Sequence, residues 1–236
     1  MIKSIHFIWV GSFIPMSQKQ PYFQRLQNWV TLNRGWKVHL WYNSKTLDNM
    51  ARYKMARLKK DYSNISYMDS NAATDMLVGL NDMFINELFV KHPNYGAASD
   101  ILRVAILIKH GGLYLDTDVD PGNPLGTLVA PHGFLVNRPA GAVGAYSNDV
   151  LYAGTTGHDF FVKYRERMIR NYAVVSKKSW ARDRWTNKQS KNDWTQLSTG
   201  PGCLTDVINQ GYKTLGPSIL FPGDRVSQTT SDCSWL

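Results

Sequence analysis

The sequence predicts an α/β fold with a parallel sheet, on three observations. A nearly continuous apolar run, Ile5, Phe7, Ile8, Trp9 and Val10, stops at Gly11, as a strand buried on both faces does where its C-terminal end opens into a loop. Helical periodicity and a second strand follow it directly, and strand–helix–strand is how such folds begin. Three carboxylates, Asp116, Asp118 and Asp120, then follow Leu113-Tyr114-Leu115, at the kind of strand end where open α/β sheets bind ligands.

The remaining elements can be justified in chain order. Tyr22, Phe23, Leu26, Trp29, Val30 and Leu32 recur at helical spacing, and Asn33 with Gly35 supplies a stop. Residues 36–42 alternate and are bulky, which predicts the second strand. Residues 45–88 read as mostly helical, with a short strand at 65–68. In residues 97–108 the apolar positions 101, 104, 105 and 108 form one helical face, with Ser99 or Asp100 near the start and Gly111-Gly112 at the end. Leu113 to Leu115 is read as a strand edge.

Size and composition exclude several classes. The chain has 236 residues, 43% of them apolar, enough for one sizeable core, so a single folded domain is expected. Two cysteines, Cys203 and Cys233, make neither a disulfide framework nor a four-ligand zinc site. A cytosolic chain with two buried thiols is expected, a single bridge remaining open. No apolar stretch approaches the roughly 20 residues of a bilayer span, and the N-terminal patch is too short for a signal peptide. A protein leaving its cell this way needs a non-classical route. The net charge is +9, and ten basic residues against two acidic ones give residues 163–191 a local +8. Such an excess points to nucleic acid, an anionic membrane or an acidic partner, or else to a solvated helix and loop.

The carboxylates carry the chemistry. Residues i and i+2 of an extended chain point the same way, so Asp116 and Asp118 converge on one hard cation, while Asp120 caps the loop or extends the shell. A solvated acidic turn is the plain alternative, because so short a pattern recurs by chance. An EF-hand is rejected, since its sixth and twelfth places, Gly and Glu, hold Pro121 and Thr127 here.

The surroundings of the cluster narrow the choice. The string Ala98-Ser99-Asp100-Ile101-Leu102-Arg103, then Gly111-Gly112-Leu113-Tyr114-Leu115-Asp116-Thr117-Asp118, resembles the signature of DXD-containing sugar transferases: the large clostridial glucosylating toxins, related bacterial effectors and Och1-like mannosyltransferases. Ile5 to Gly11 is similar to their first strand. Ser147-Asn148-Asp149-Val150-Leu151-Tyr152 with Gly157-His158 resembles their mid-chain segment, and Ser198-Thr199-Gly200-Pro201 their Thr-Gly-Pro turn. Ser234-Trp235 is similar to the residues that close their donor pocket, although the serine and tryptophan are two apart in the toxins. The similarity runs along nearly the whole chain, and the unbroken Ala-Ser-Asp-Ile-Leu-Arg leans toward the toxin branch.

The resemblance implies a single GT-A domain over residues 1–236: a Rossmann-like, mixed, mostly parallel central sheet flanked by helices, with a basic insertion at about 160–195. It implies a metal-dependent, retaining transfer of a hexose or N-acetylhexosamine from a nucleotide sugar, UDP-glucose or UDP-N-acetylglucosamine, to a protein side chain or, in the Och1-like alternative, to a surface glycan. A non-catalytic nucleotide-sugar-binding protein is the rival class. Asp118 is expected to ligate Mn²⁺ or Mg²⁺ directly and Asp116 through water or the ribose, with Asp232 and Ser234 as final ligands; which of Asp232, Cys233 and Ser234 faces the metal stays open. Asp100 and Arg103 would hold donor-sugar hydroxyls, the alternative being a surface i, i+3 ion pair. Trp9, beside Ile8, would stack on uracil or belong to the core. Asn148 would touch the donor phosphate or sugar, Tyr114, Ser99 and Thr117 would border the donor, and Trp235 would cover the diphosphate. His6 is expected to make a core hydrogen bond. The stretch 163–191, with Tyr172, Trp180, Trp185 and Trp194, would face an acceptor or an anionic membrane, and nucleic acid is not expected.

Overall fold

Strand β1 (Ser4–Ile8) is buried from Ile5 to Ile8 because it lies inside the sheet. The structure, a computed structural model, describes residues 1–19, 21–139 and 144–228. Helix α1 (Tyr22–Leu32) returns the chain to β2 (Lys37–Tyr42), and α2 (Asn49–Asp61) leads to β3 (Ile65–Asp69). All three strands are parallel, with Phe7 opposite Leu40 and Val38 opposite Ile65. The chain then reverses its progress across the sheet. Helices α3 (Asn81–Leu88) and α4 (Tyr95–His110) carry it to β4 (Gly112–Leu115), which pairs in parallel with the free side of β1. Between β1 and β4 the strand order changes direction, and at such a switch point the loops leaving the two strand ends diverge and leave a crevice.

Two antiparallel strands complete the sheet, β7 (Ser147–Ala153) against β4 and β6 (Phe134–Asn137) outside it, for the order β3-β2-β1-β4-β7-β6. Leu113 to Leu115 is therefore an interior strand, not an edge. A small ribbon of β5 (Val119–Pro121) and β8 (Val226–Gln228) follows the carboxylate loop. Helices α5 (Asp159–Val175), α6 (Lys188–Ser198) and α7 (Pro201–Gly211) complete the α-helices among the described residues.

Strand alternation divides the core between two faces. Ile5, Phe7, Leu113 and Leu115 pack with Phe23, Leu26 and Trp29 of α1. Ile8, Trp41 and Tyr114 pack on the other face with α3, α4, α5 and α7.

Helix α4 departs from its expected form in two ways. It starts at Tyr95, with the Asn94 side chain accepting from the Ala97 N–H, so Ser99 and Asp100 lie inside the helix rather than at its cap. It is also buried nearly all round, from Gly96 to Leu107 except for Ser99, because α3, α5, α6 and the sheet enclose it. Gly111 and Gly112 end it at positive φ, 63° and 88°, where L side chains are strained. The basic stretch is not an appendage: Phe160, Phe161, Tyr164 and Met168 of α5 are fully buried core residues.

His6 makes the core hydrogen bonds expected of it. Trp41 Nε1 donates to its Nδ1 (3.2 Å), leaving Nε2 to donate to Gly111 O at 3.1 Å. Burial and the neighbouring His39 and His110 lower its pKa to about 3, which keeps the ring neutral. Cys203 is buried as expected; Cys233 lies outside the described residues. No helix among the described residues is long and apolar enough to cross a membrane.

Candidate active site

A cleft of about 400 Å³ opens where β1 and β4 end. Its walls come from five parts of the chain. The residues after β1 contribute Trp9 and Ser12, the start of α4 contributes Tyr95, Ser99, Asp100 and Arg103, and the loop after β4 contributes Asp116, Thr117 and Asp118. Because β7 runs antiparallel to β4, its first residues, Ser147, Asn148 and Asp149, arrive at the same end. Thr195 and Gln196 of α6 with Pro201 of α7 close the side.

Arg103 sits at the centre of this wall. Its Nη2 lies 3.0 Å from Asp100 Oδ1 and 3.2 Å from Asp116 Oδ1, and its Nη1 donates to Asn148 O at 2.5 Å. The guanidinium also lies 4.4 Å from the centre of the Tyr114 ring, whose hydroxyl donates to Asp116 Oδ1 at 2.5 Å. Asp100 is equally enclosed: Asn148 Nδ2 donates to its Oδ1 (2.8 Å) and Thr199 Oγ1 to its Oδ2 (2.9 Å). The Asp100–Arg103 pair is thus i, i+3 as its spacing requires, but both side chains are only 5% exposed. A surface ion pair is overturned by the helix's central position. Removing one partner from such a buried pair leaves an uncompensated charge, costing about 3–5 kcal/mol.

The electrostatics follow from this crowding. Burial raises the Asp100 pKa, while Arg103, Thr199 and Asn148 oppose the rise. Burial in the cleft wall also holds Asp116 above the ordinary carboxylate range; Arg103 pulls it down, and the Asp118 and Asp149 carboxylates push it up. Burial works against the charge of Arg103, but Asp116, Tyr114 and Asp100 outweigh it and keep the guanidinium ionised.

The geometry of the carboxylate loop corrects its first reading. Asp116, Thr117 and Asp118 form a turn, closed by Val119 N–H donating to Asp116 O (3.1 Å), rather than an extended segment. The turn still brings both carboxylates to the cleft. Asp120 does not join them: it pairs with Arg25 of α1 at 3.2 Å. Among the described residues no group of three or more His, Cys, Asp or Glu is placed to hold a metal. Two carboxylates facing an open cleft nevertheless fit a hard divalent cation shared with a substrate diphosphate, because Mg²⁺-type ions take few protein carboxylates and fill the rest of their shell with phosphate and water.

Ile8, Trp9, Ser99, Asp100, Arg103, Tyr114, Asp116, Thr117, Asp118 and Asn148 all border this one cleft. Trp9 is half-buried, its ring centre 5.0 Å from that of Tyr22. Asp232, Ser234 and Trp235 lie outside the described residues. Gly157-His158, by contrast, stands at the opposite end of the sheet, where His158 caps α5.

Two parts of the site were visible in quoted motifs but had no role assigned. Thr199 positions Asp100, and Gly200 lets the two segments meet: a Cβ there would lie 2.9 Å from Thr195 O and 3.2 Å from Asp100 Oδ2. Asp149 accepts at both carboxylate oxygens from Asn137 Nδ2 (3.1 Å each), and its carbonyl accepts from the Asp116 N–H. Tyr95 had no sequence signal. Gly11 has φ 127°, and a Cβ there would stand 2.7 Å from the Tyr95 ring.

The sheet has the order of a GT-A fold, with a carboxylate-bearing cleft at its switch point. Residues 21–135 match the family described as glycosyltransferase sugar-binding region containing DXD motif. The Legionella pneumophila protein "Subversion of eukaryotic traffic protein A" is 28% identical over 207 residues, covering 86% of this chain and 31% of that protein. Toxin A of Clostridium novyi is 36% identical over 83 residues, covering 32% of this chain and 4% of the toxin. The chain thus spans about a third or less of the length of these curated relatives. Two solved structures share the fold. The PaToxG glycosyltransferase superposes with TM-score 0.67 at 21% identity, over 92% of this chain and 71% of that one. The UDP-bound glycosyltransferase domain of the YGT toxin gives 0.68 at 12% identity, over 100% and 82%.

Proposed function

We propose that the chain transfers a hexose or N-acetylhexosamine from a UDP-sugar to a protein side chain, with a divalent cation and with retention at the anomeric carbon. The observation that carries this is the buried Asp100–Arg103 pair and its link to the half-buried Asp116, tied to Asn148 and Thr199 and set beside Asp118. Trp9 offers a ring at the cleft wall on which a base can stack, worth about 1–3 kcal/mol. Asp118 and Asp116 would hold Mn²⁺ or Mg²⁺, which when bound supplies positive charge to the departing diphosphate. Asp232, Ser234 and Trp235 are proposed to complete and cover this end of the site.

Arg103 and Asp100 serve as positioning groups for donor hydroxyls, with Asn148 beside them. A rigid, already paired network does not need to reorganise as charge develops, which is how preorganised dipoles lower a barrier. Asp100 is a poor nucleophile, because Arg103 and Asn148 occupy one of its oxygens and Thr199 the other. This supports front-face substitution: the bond from the anomeric carbon to the phosphate oxygen breaks, the bond to the acceptor oxygen forms on the same face, and the acceptor proton passes to the diphosphate.

The toxin and effector relatives favour a protein acceptor, and with it action inside another cell after non-classical delivery. The test is to incubate the chain with Mn²⁺ and a panel of UDP-sugars, measure released UDP, and then follow transfer to protein and glycan acceptors. UDP release that needs the cation and vanishes in Asp118→Asn is expected, with the sugar's α configuration kept in the product. Nucleotide binding without turnover on any donor would instead identify a binding protein.

A further inference from the structure

We infer that the rim formed by residues 177–188 is a docking surface for an acidic stretch of the protein acceptor, a reading that rests on the protein-acceptor activity proposed above. The topology decides where this rim stands. Strand β7 runs away from the cleft, and α5 begins at the far end of the sheet, where Gly157 N–H donates to Ile108 O. Its 17 residues then return about 25 Å toward the cleft side. Tyr164 marks the level of the site by donating to Thr199 O at 2.9 Å, and the helix continues past it to Val175. The 3₁₀ turn Ser179–Trp185 lies beyond that end, and α6 descends from Lys188 to Thr195 at the cleft wall. Lys188 is thus about 10 Å along one helix from a cleft residue.

The side chains on this rim have unequal roles. Lys177, Lys178, Arg182 and Lys188 are exposed and make no ion pair with any described residue. The acidic residue among them is Asp183. Other residues expected on this surface are structural instead. Trp194 is fully buried, its Nε1 donating to Glu87 Oε1 at 3.0 Å, and Tyr172 donates to the same oxygen at 2.8 Å. Arg184 packs 4.1 Å above the Trp194 ring and donates to Ala181 O. The side chain of Trp185 lies outside the described residues.

Four exposed cations, held by a buried anchor at the entrance of a transferase cleft, complement carboxylates on an incoming chain. A membrane is the poorer fit. Interfacial helices insert large apolar side chains among their basic ones, and none of the described residues between 176 and 193 exposes one.

The test uses the full chain with a short fluorescein-labelled Glu/Ser peptide, its Gln/Ser counterpart, and vesicles of phosphatidylcholine with phosphatidylserine. Fluorescence anisotropy should show binding of the acidic peptide only, weakening at least tenfold between about 50 and 300 mM salt. The variant K177E/K178E/R182E/K188E should lose at least tenfold in peptide affinity and in protein transfer while UDP-sugar hydrolysis stays within about twofold. Arg165→Glu with Arg170→Glu, lower on α5, should change neither, and Asp118→Asn should abolish hydrolysis but keep peptide binding. The inference is overturned if the two peptides bind alike, if the rim variant keeps its affinity, or if only vesicles are bound. Absence of hydrolysis in the unmodified chain would overturn the transferase reading instead, whatever the peptide does.

Discussion

The wall of the cleft and the basic rim above it are both rich in charge, yet they are built on opposite rules. In the wall, charges are shared around Arg103: it contacts Asp100, Asp116 and the Asn148 carbonyl, and Asp100 is also held by Asn148 and Thr199. On the rim, Lys177, Lys178, Arg182 and Lys188 stand in solvent and act independently, while one buried carboxylate, Glu87, anchors the layer beneath. The difference teaches where energy and specificity reside. Buried shared charges couple folding to chemistry, so damage to one appears in both; exposed charges are screened over about 8 Å at physiological salt and affect encounter alone.

The coupling can be broken most severely at Arg103. Arg103→Met should lower stability by about 3–5 kcal/mol in urea unfolding and abolish UDP release, since it strands Asp100 and Asp116 together. A folded variant with ordinary stability would show that the wall is not coupled. Asp118→Asn should separate the two effects, abolishing UDP release while the melting temperature barely moves, as befits a charge aimed at substrate.

Glu87 tests the layer under the rim by pH. Its pKa is raised to about 7, chiefly by burial, against the opposing pull of Tyr172, Trp194, Arg184 and Lys191. A raised carboxyl pKa stabilises the fold fully below the unfolded value of 4.5 and loses that contribution as pH rises through 7. Thermal unfolding of the unmodified chain should therefore fall between pH 5 and 8 relative to Glu87→Gln, by on the order of 2–3 kcal/mol. Parallel pH profiles for the two would refute it. Thr199→Val is the mildest probe: it removes one hydrogen bond to Asp100, which should cost about 1–2 kcal/mol and lower turnover roughly tenfold. Unchanged turnover there would mean that Asp100 needs no support from the Thr-Gly-Pro turn.

Much of this was legible in residues close together in sequence. The alternation of strand and helix signals placed β1, α1, β2 and the short β3 within a residue or two, because local backbone preference and a buried face agree there. Asp100, Arg103, Asp116 and Asp118 were marked by motif and spacing, which survive in any order of reading. The start of α4 was misplaced because Asn94 caps it from outside the apolar pattern. Tyr172 and Trp194 are held inside by Glu87, far earlier in the chain, which nothing in their own sequence neighbourhood reveals.

The sequence by itself determined the α/β class, the family resemblance and the carboxylate loop, all of them properties of short contiguous segments. Tertiary structure alone decided that β7 runs antiparallel and delivers Asn148 and Asp149 to the cleft, that Thr199 reaches Asp100, and that Asp120 turns away to Arg25. It also divided the basic stretch into a core helix and an exposed rim. The physical reason is the same in each case: burial and pairing depend on which distant segments meet, and strand order fixes that.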